Sequence, residues 1–224
     1  SYKHLDYLDS QPGDDRIKVN ASALNVMMPI AGAWSVSGTY TSDSVSGASP
    51  ASYTQYLTEM QDLRRAIDLS LTRYLPRGTI SVGTSYSNES DYISRGFSLL
   101  GTVSTEDKNT TFNAGIAVTN DEINPSNHIV VGETKHVTDW ILGVTQILTT
   151  QDIVQLNLGY SEGRGYFSDP YKTFDQRPRY RDHGTALVRW NHYFNQTEGA
   201  SNLTYRYYTD TFGVDAHTVT AEYI

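Results

Sequence analysis

The stretch IVQLNLGYS, residues 153–161, alternates between apolar residues and small or polar ones. Successive side chains of a β-strand point to opposite faces of the sheet, so this pattern predicts a strand with one apolar face. The apolar series is Val154, Leu156, Leu158 and Tyr160, and the opposite series is Gln155, Asn157, Gly159 and Ser161.

The same period of two recurs along nearly the whole chain, for example in AIDLSLTRYL (66–75) and SNLTYRYYT (201–209). Most of the segments reach the ~9 to 11 residues that a tilted strand needs to cross a bilayer. Strands of soluble proteins average about five or six residues. The pattern predicts twelve strands, at residues 2–9, 16–30, 33–42, 64–75, 79–88, 92–105, 109–120, 136–149, 152–162, 183–194, 201–209 and 215–224.

Short and mostly longer connections alternate between these segments. PRG (76–78) and TQD (150–152) belong to the short set, and residues 121–135 and 163–182 to the long set. Short periplasmic turns on one rim and longer external loops on the other are typical of outer-membrane barrels. The sequence therefore predicts an all-β fold: an antiparallel up-and-down transmembrane β-barrel of at least twelve strands, in a single domain over residues 1–224, with residue 1 in the periplasm.

The stretch TSDSVSGASP (41–50) ends one alternating segment and predicts the start of the longest external loop, residues 43–63. Ser49 and Pro50 are suitable as the N-cap and first residue of a short helix. We consider two interpretations, an inward-folded constriction and a lid packed on the rim. The candidate residues for either are Tyr53, Leu57, Met60, Arg64 and Arg65.

Composition excludes several classes of protein. The net charge is −8 and the basic residues are scattered, which argues against a nucleic-acid partner. There is no cysteine, so disulfides and thiolate metal sites are excluded. No apolar run approaches the roughly 18 residues of a spanning helix. The 17 tyrosines and the apolar content of only 38% indicate an apolar surface rather than a large apolar core.

Charged and amide side chains opposite the apolar series are candidates for the wall of a lumen. Such residues set ion or solute selectivity in channels. The alternative is that they pair with one another and plug a narrow barrel. The candidates are Lys18, Asp68, Gln155, Asn157, Arg189, Arg206 and Glu222.

Acidic and amide residues in the predicted loops raise the question of a calcium site. Asp121, Glu122 and Asn124 offer oxygen ligands of the kind that Ca²⁺ prefers. No EF-hand or glycine-rich repeat spacing accompanies them, so the alternative is solvated loop charge.

The six histidines are dispersed, without the HxH or HExxH spacing of a metal site. A phospholipase would need a serine and a histidine near the lipid-facing rim, and Asn191, His192 and Ser201 come nearest to that requirement. Adjacent strand residues such as Asn191 and His192 point to opposite faces, which argues against this combination. The sequence predicts no enzymatic activity and no cofactor.

Trp34, Trp140, Trp190 and many tyrosines lie near the ends of predicted strands, as in the aromatic girdle of a membrane barrel. A soluble β-sandwich that binds carbohydrate uses aromatic residues as stacking platforms, and this is the alternative. The scattering of the aromatic residues over many strands favours the girdle.

Several long sequence words together resemble the bacterial outer-membrane family catalogued as domain of unknown function 3570. The resemblance covers essentially the whole chain. The words are SDSVSGASP (42–50), DLRRAIDLSLTRY (62–74), SNESDYISRG (87–96), DKNTT (107–111), GYFSDPYK (165–172) and YRYYTDTFGVDAHTV (205–219).

This resemblance implies a β-barrel in the outer membrane of a Gram-negative cell, in contact with membrane lipid and lipopolysaccharide. The family has no established activity and supplies no site residues. Its members usually continue beyond the point that corresponds to residue 224, so further strands are expected. The function expected is a pore or a scaffold that binds a protein partner in an envelope complex.

Overall fold

The computed structural model describes residues 1–11, 14–48, 59–172 and 174–224. Within them, twelve strands form one sheet in which each strand pairs antiparallel with the next. The predicted all-β, up-and-down architecture is confirmed. The strands are β1 (Tyr2–Gln11), β2 (Asp14–Ile30), β3 (Trp34–Ala48), β4 (Glu59–Leu75), β5 (Gly78–Asn88), β6 (Tyr92–Ser104), β7 (Thr110–Ile123), β8 (Glu133–Ile147), β9 (Asp152–Gly165), β10 (Tyr180–Phe194), β11 (Gly199–Asp210) and β12 (Asp215–Tyr223).

The strands β3 and β4 are longer than their side-chain patterns predict. β3 continues to Ala48 and β4 begins at Glu59, so the loop expected at residues 43–63 is largely strand. Ser44 pairs with Leu63 in this extension. The prediction that the sheet ends at residue 42 was wrong, because ladder hydrogen bonds join backbone groups and do not require alternating side chains.

The connections divide between two ends of the sheet. The short-turn end carries residues 31–33, 76–77, 105–109, 148–151 and 195–198. The opposite loop end carries residues 89–91, 124–132, 166–179 and 211–214, together with the links from β1 to β2 and from β3 to β4. The longest connections, which are 124–132, 166–179 and the link from β3 to β4, all lie at the loop end, whereas 89–91 and 211–214 are as short as the turns.

The two edges of the sheet are β1 and β12. Among the described residues, β1 pairs only with β2 and β12 only with β11. Within the same ranges, no helix has the length and apolar character needed to cross a bilayer.

The sheet has two unlike faces. Along β5, exposed residues such as Ile80, Val82 and Tyr86 alternate with half-buried ones such as Ser81 and Ser85. The small polar residues are the less accessible ones, so the sheet curves towards their side. We call the apolar side the outer face and the polar side the concave face.

Candidate functional site: the concave face

Six of the seven lumen candidates share the concave face, as the strand register shows. Residues directly opposite in a ladder point to the same side of the sheet. The six are Asp68, Gln155, Asn157, Arg189, Arg206 and Glu222.

These six residues fall into two regions. Gln155 lies directly opposite Arg189, and the guanidinium of Arg189 donates to the Thr204 hydroxyl at 3.3 Å. Asp68 lies several strands away, between Thr39 on β3 and Ser85 on β5. The two candidate arginines therefore lie on β10 and β11, several strands from Asp68 on β4.

Lys18 lies on the outer face, on the same side as Leu24 and Val26. Its expected place opposite the apolar series was wrong. The cause is β2 itself, which carries Ile17 and Val19 on the concave face before its apolar residues change sides. Alternation in that strand therefore gave the wrong face.

A shallow groove of about 280 Å³ surrounds Asp68 on the concave face. Half of its lining residues carry a hydroxyl group, and Gly83 and Gly96 add no side chain. Many hydroxyls bond to each other across strands, as in Ser37 with Ser70 at 2.7 Å and Thr72 with Ser81 at 2.8 Å. The wall is therefore hydrophilic, and its short side chains leave space in front of it.

A buried ion pair lies on the same face at the loop end. Asp121 is only 4% exposed, accepts a hydrogen bond from the Tyr92 hydroxyl, and lies 3.2 Å from Lys135 Nζ. Lys135 also lies 5.1 Å from the Tyr92 ring centroid and 5.9 Å from that of Phe167. The charge of this buried carboxylate is therefore compensated by the ammonium group of Lys135 and not by water.

A second charged pair lies beside the first. Arg181 binds Asp210 at 2.6 Å and lies 4.9 Å from the ring centroid of Phe212. Phe212 packs edge-to-face on Phe167 at 6.1 Å. Phe167 belongs to the connection 166–179 and contacts the concave side of Gly163, where a Cβ would lie 2.7 Å from the ring. This connection therefore folds onto the concave face and covers part of it.

Only some of the residues predicted for a constriction or a lid belong to the described part of the chain. Tyr53 and Leu57 lie outside the described residues, and Met60 lies in β4. Arg64 binds Asp43 at 3.0 Å on the concave face, whereas Arg65 lies on the outer face. Phe167 and Lys135 were not singled out, because only the register and the fold of the connection bring them together.

The three calcium candidates do not converge on one point. Asp121 is engaged by Lys135 on the concave face. Glu122 binds Arg95 at 2.5 Å on the outer face, and Asn124 Oδ1 accepts from the Gly132 amide at 2.7 Å. Adjacent strand residues point to opposite faces, so Asp121 and Glu122 cannot ligate one ion together.

A different acidic group forms at the loop end. Carboxylate oxygens of Asp62, Glu89 and Asp91 lie within 4.8 Å of one another. The Ser90 hydroxyl donates to Asp62 at 3.1 Å, and Tyr171 donates to Asp91 at 2.6 Å. Burial, together with the charge of Asp62, raises the pKa of Glu89. No local sequence pattern indicates this group, because Asp62 and Glu89 are far apart in the chain.

The outer face is apolar and carries all three tryptophans. Trp140 stacks on Tyr160 with a centroid distance of 5.7 Å, and Arg73 lies 5.1 Å from the Trp34 ring centroid. Large apolar side chains remain exposed on many strands, for example Phe97 and Leu142. Such a surface suits lipid and does not suit a soluble carbohydrate-binding module.

Solved structures show the same fold at very low sequence identity. A mutant of the ferric enterobactin receptor of Pseudomonas aeruginosa matches with a TM-score of 0.57 and 8% identity, over 99% of this chain and 40% of that one. The chain thus spans about 40% of the length of this receptor. A loop-deletion mutant of OmpT, an outer-membrane protein of Vibrio cholerae, matches with a TM-score of 0.50 and 9% identity, over 100% of this chain and 96% of that one.

No curated protein matches the sequence. The fold and the apolar outer face are those of a bacterial outer-membrane β-barrel protein. A family model matches residues 51–224, which is most of the chain and bears out the resemblance drawn from the loop words. The chain belongs to the family described as proteins of unknown function, DUF3570.

Proposed function

We propose that this protein forms a water-filled pore in the outer membrane that passes small polar solutes. The observation that carries the proposal is the concave wall of β3 to β7, where short hydroxyl side chains surround Asp68. A plugged barrel fills this space with long side chains, whereas a channel keeps it open to water.

The hydroxyl pairs of this wall satisfy part of one another's hydrogen-bonding capacity. Thr79 bonds Thr102 at 2.8 Å, and Ser104 bonds Thr111 at 2.9 Å. Each hydroxyl keeps further lone pairs for water. The wall therefore stays hydrated without holding a solute tightly, which is a property that conduction requires.

The loop end supplies the narrow section of the proposed pore. Phe167 extends over the concave face, and Lys135 and Arg181 lie beside it with their carboxylate partners. Arg189 on β10 and Arg206 on β11 lie on one wall, while Asp68 on β4 lies on the other. Charges of both signs would favour solutes with little net charge.

Conductance in planar bilayers tests this function. Protein extracted in mild detergent is first checked for a mobility shift on boiling, which reports a closed barrel. We expect discrete conductance steps, and we expect Asp68→Asn to shift the reversal potential in a salt gradient towards anions. Glu106→Gln is the control, because Glu106 lies in the turn 105–109 with its side chain 89% exposed. Heat-modifiable protein that never conducts would overturn the pore.

A scaffold is the second candidate, favoured by the ordered external surface. Tyr171 binds Asp91 and the backbone amide of Ser126, and Asn127 Nδ2 donates to the Pro170 carbonyl at 2.9 Å. These bonds join three connections of the loop end. A scaffold predicts that one protein partner co-purifies in mild detergent and is lost with Tyr171→Phe, while conductance is absent.

A further inference from the structure

A carboxylate, an imidazole and a hydroxyl lie in one row of the sheet at the short-turn end. In the register, His192 of β10 is directly opposite Asp152 of β9 on one side and Ser201 of β11 on the other. All three therefore point to the outer face. Asn191, the third residue of the combination considered from the sequence, lies on the concave face instead.

The contact between Asp152 and His192 is well defined. His192 Nδ1 lies 2.7 Å from Asp152 Oδ1. The same carboxylate accepts hydrogen bonds from Trp190 Nε1 at 2.9 Å and from the Thr149 hydroxyl at 2.7 Å. A carboxylate fixed at Nδ1 selects the tautomer with its proton on that nitrogen, which leaves the Nε2 lone pair available as a base.

Ser201 lies on the side of His192 away from Asp152. Opposite residues in an antiparallel pair have Cβ atoms about 4.5–5.5 Å apart, so a hydroxyl and an imidazole in this arrangement are within reach of a side-chain rotation. In the described part of the chain, the Ser201 hydroxyl bonds to no other side chain. Bonds between nucleophile and base are often loose before substrate binds.

The position of the row indicates the substrate class. The row lies on the outer face, and Asp152 directly follows the turn 148–151. Aromatic rings surround it: Phe194 packs edge-to-face on His192 at 4.4 Å, and Tyr223 lies 6.1 Å from Phe194. Such rings mark the level of the lipid headgroups, where the ester bonds of phospholipids also lie.

We propose that Asp152, His192 and Ser201 form a hydrolytic site for the acyl esters of membrane phospholipids. Ser201 Oγ bonds to the ester carbonyl carbon as its proton passes to His192 Nε2. The bond from that carbon to the glycerol oxygen then breaks, and the lysophospholipid leaves with the proton from His192. Water, deprotonated by His192, cleaves the acyl–serine ester, releases the fatty acid and restores the Ser201 hydroxyl.

This activity goes beyond the proposed pore, because it uses the outer face and none of the concave residues. It also departs from the sequence-based expectation of a protein without enzymatic activity. Asp152 was not recognised as a partner of His192 in the sequence, because the two residues are distant in the chain. Only the pairing of β9 with β10 brings them together.

The test measures fatty acid released from a phospholipid with a fluorescent acyl chain, by the full chain in mixed detergent micelles. Heat-modifiable wild-type protein is expected to release fatty acid, and Ser201→Ala to lower the rate by about 100-fold or more. Asp152→Asn is expected to lower the rate as well, because it loses the charge that stabilises the protonated imidazole. Conductance of both variants is expected to equal that of the wild type.

Ser22→Ala provides the matched control. Ser22 also lies on the outer face beside a histidine, at 2.9 Å from His4 Nδ1, and His4 contacts no carboxylate among the described residues. Its rate should equal the wild-type rate. A fluorophosphonate probe on wild-type protein should label Ser201, which identifies the nucleophile even if Ser201→Ala does not fold. Absence of both labelling and release from folded wild-type protein, or full activity in Ser201→Ala, would overturn the proposal.

Discussion

The outer and concave faces share one backbone but follow opposite rules. On β8, Leu142 is 60% exposed on the outer face, while its neighbour Gly143 lies on the concave face beneath the amide groups of Asn113 and Asn157. Exposure of a leucine to water normally forfeits about 1.5–3 kcal/mol of burial. The comparison shows that the solvent of each face selects its residues: lipid on the outside, and water with paired charges on the inside.

A charge on the outer face should produce the largest effect. We expect Leu142→Arg to lower the free energy of unfolding in vesicles by about 2–4 kcal/mol, because the guanidinium lies in hydrocarbon. Thr145→Arg places the same side chain on the concave face of the same strand, and it should fold nearly as the wild type does. Urea titration with the boiling shift as readout measures both. Equal losses in the two variants would contradict the assignment of faces.

Loss of the buried ion pair on the concave face should produce the second largest effect on stability. Lys135→Ala leaves Asp121 without its cation, and we expect a loss of about 1–3 kcal/mol in unfolding free energy, the cost of an unsatisfied buried group. Lys172→Ala is the control, because Lys172 is 68% exposed in its pair with Asp169. Such exposed pairs contribute below about 1 kcal/mol. If urea titration gave the same loss of unfolding free energy for both lysine variants, the buried ion pair of Asp121 would contribute no more to stability than an exposed pair.

The constriction should give a smaller change in stability but a clear change in conductance. Phe167→Ala removes the ring contact with Phe212, which is worth about 0.5–1.5 kcal/mol beyond its area. We also expect a larger unit conductance, since the side chain no longer covers the concave face. Phe174→Ala changes the same connection at a residue that is 95% exposed. Unit conductance that is unchanged in both variants would place the narrow section elsewhere.

Periodicity was sufficient to predict the fold, because one physical rule sets it. Each spanning strand must present an apolar residue to lipid at every second position, and IVQLNLGYS obeys this rule without exception. The rule fails where lipid is absent. β3 beyond residue 42 is held by backbone pairing with β2 and β4, so its small polar side chains gave no sign of a strand.

The sites were much less predictable than the fold. Alternation predicted the correct face of the sheet for Asp68 and Gln155. It predicted the wrong face for Lys18, because β2 carries apolar residues on both faces. Contacts between distant segments left no local pattern at all. Phe167 meets Lys135, and Asp152 meets His192, only after register and loop geometry are fixed.

The acidic group at the loop end should produce the smallest effect, a dependence of stability on pH. Burial raises the pKa of Glu89 above its ordinary value of 4.5, and the charge of Asp62 adds to the rise. Folded protein therefore takes up a proton at a pH where the unfolded chain stays ionised. Stability should rise as the pH falls through the folded pKa and gain nothing further below about 4.5, the unfolded value.

We expect Glu89→Gln to remove this dependence and to be slightly more stable than the wild type at neutral pH. Thermal midpoints between pH 4 and pH 8 measure it, with Glu106→Gln as the control. A wild-type midpoint that fell on acidification just above pH 4.5, relative to Glu89→Gln, would mean that the loop end stabilises the charged carboxylate instead.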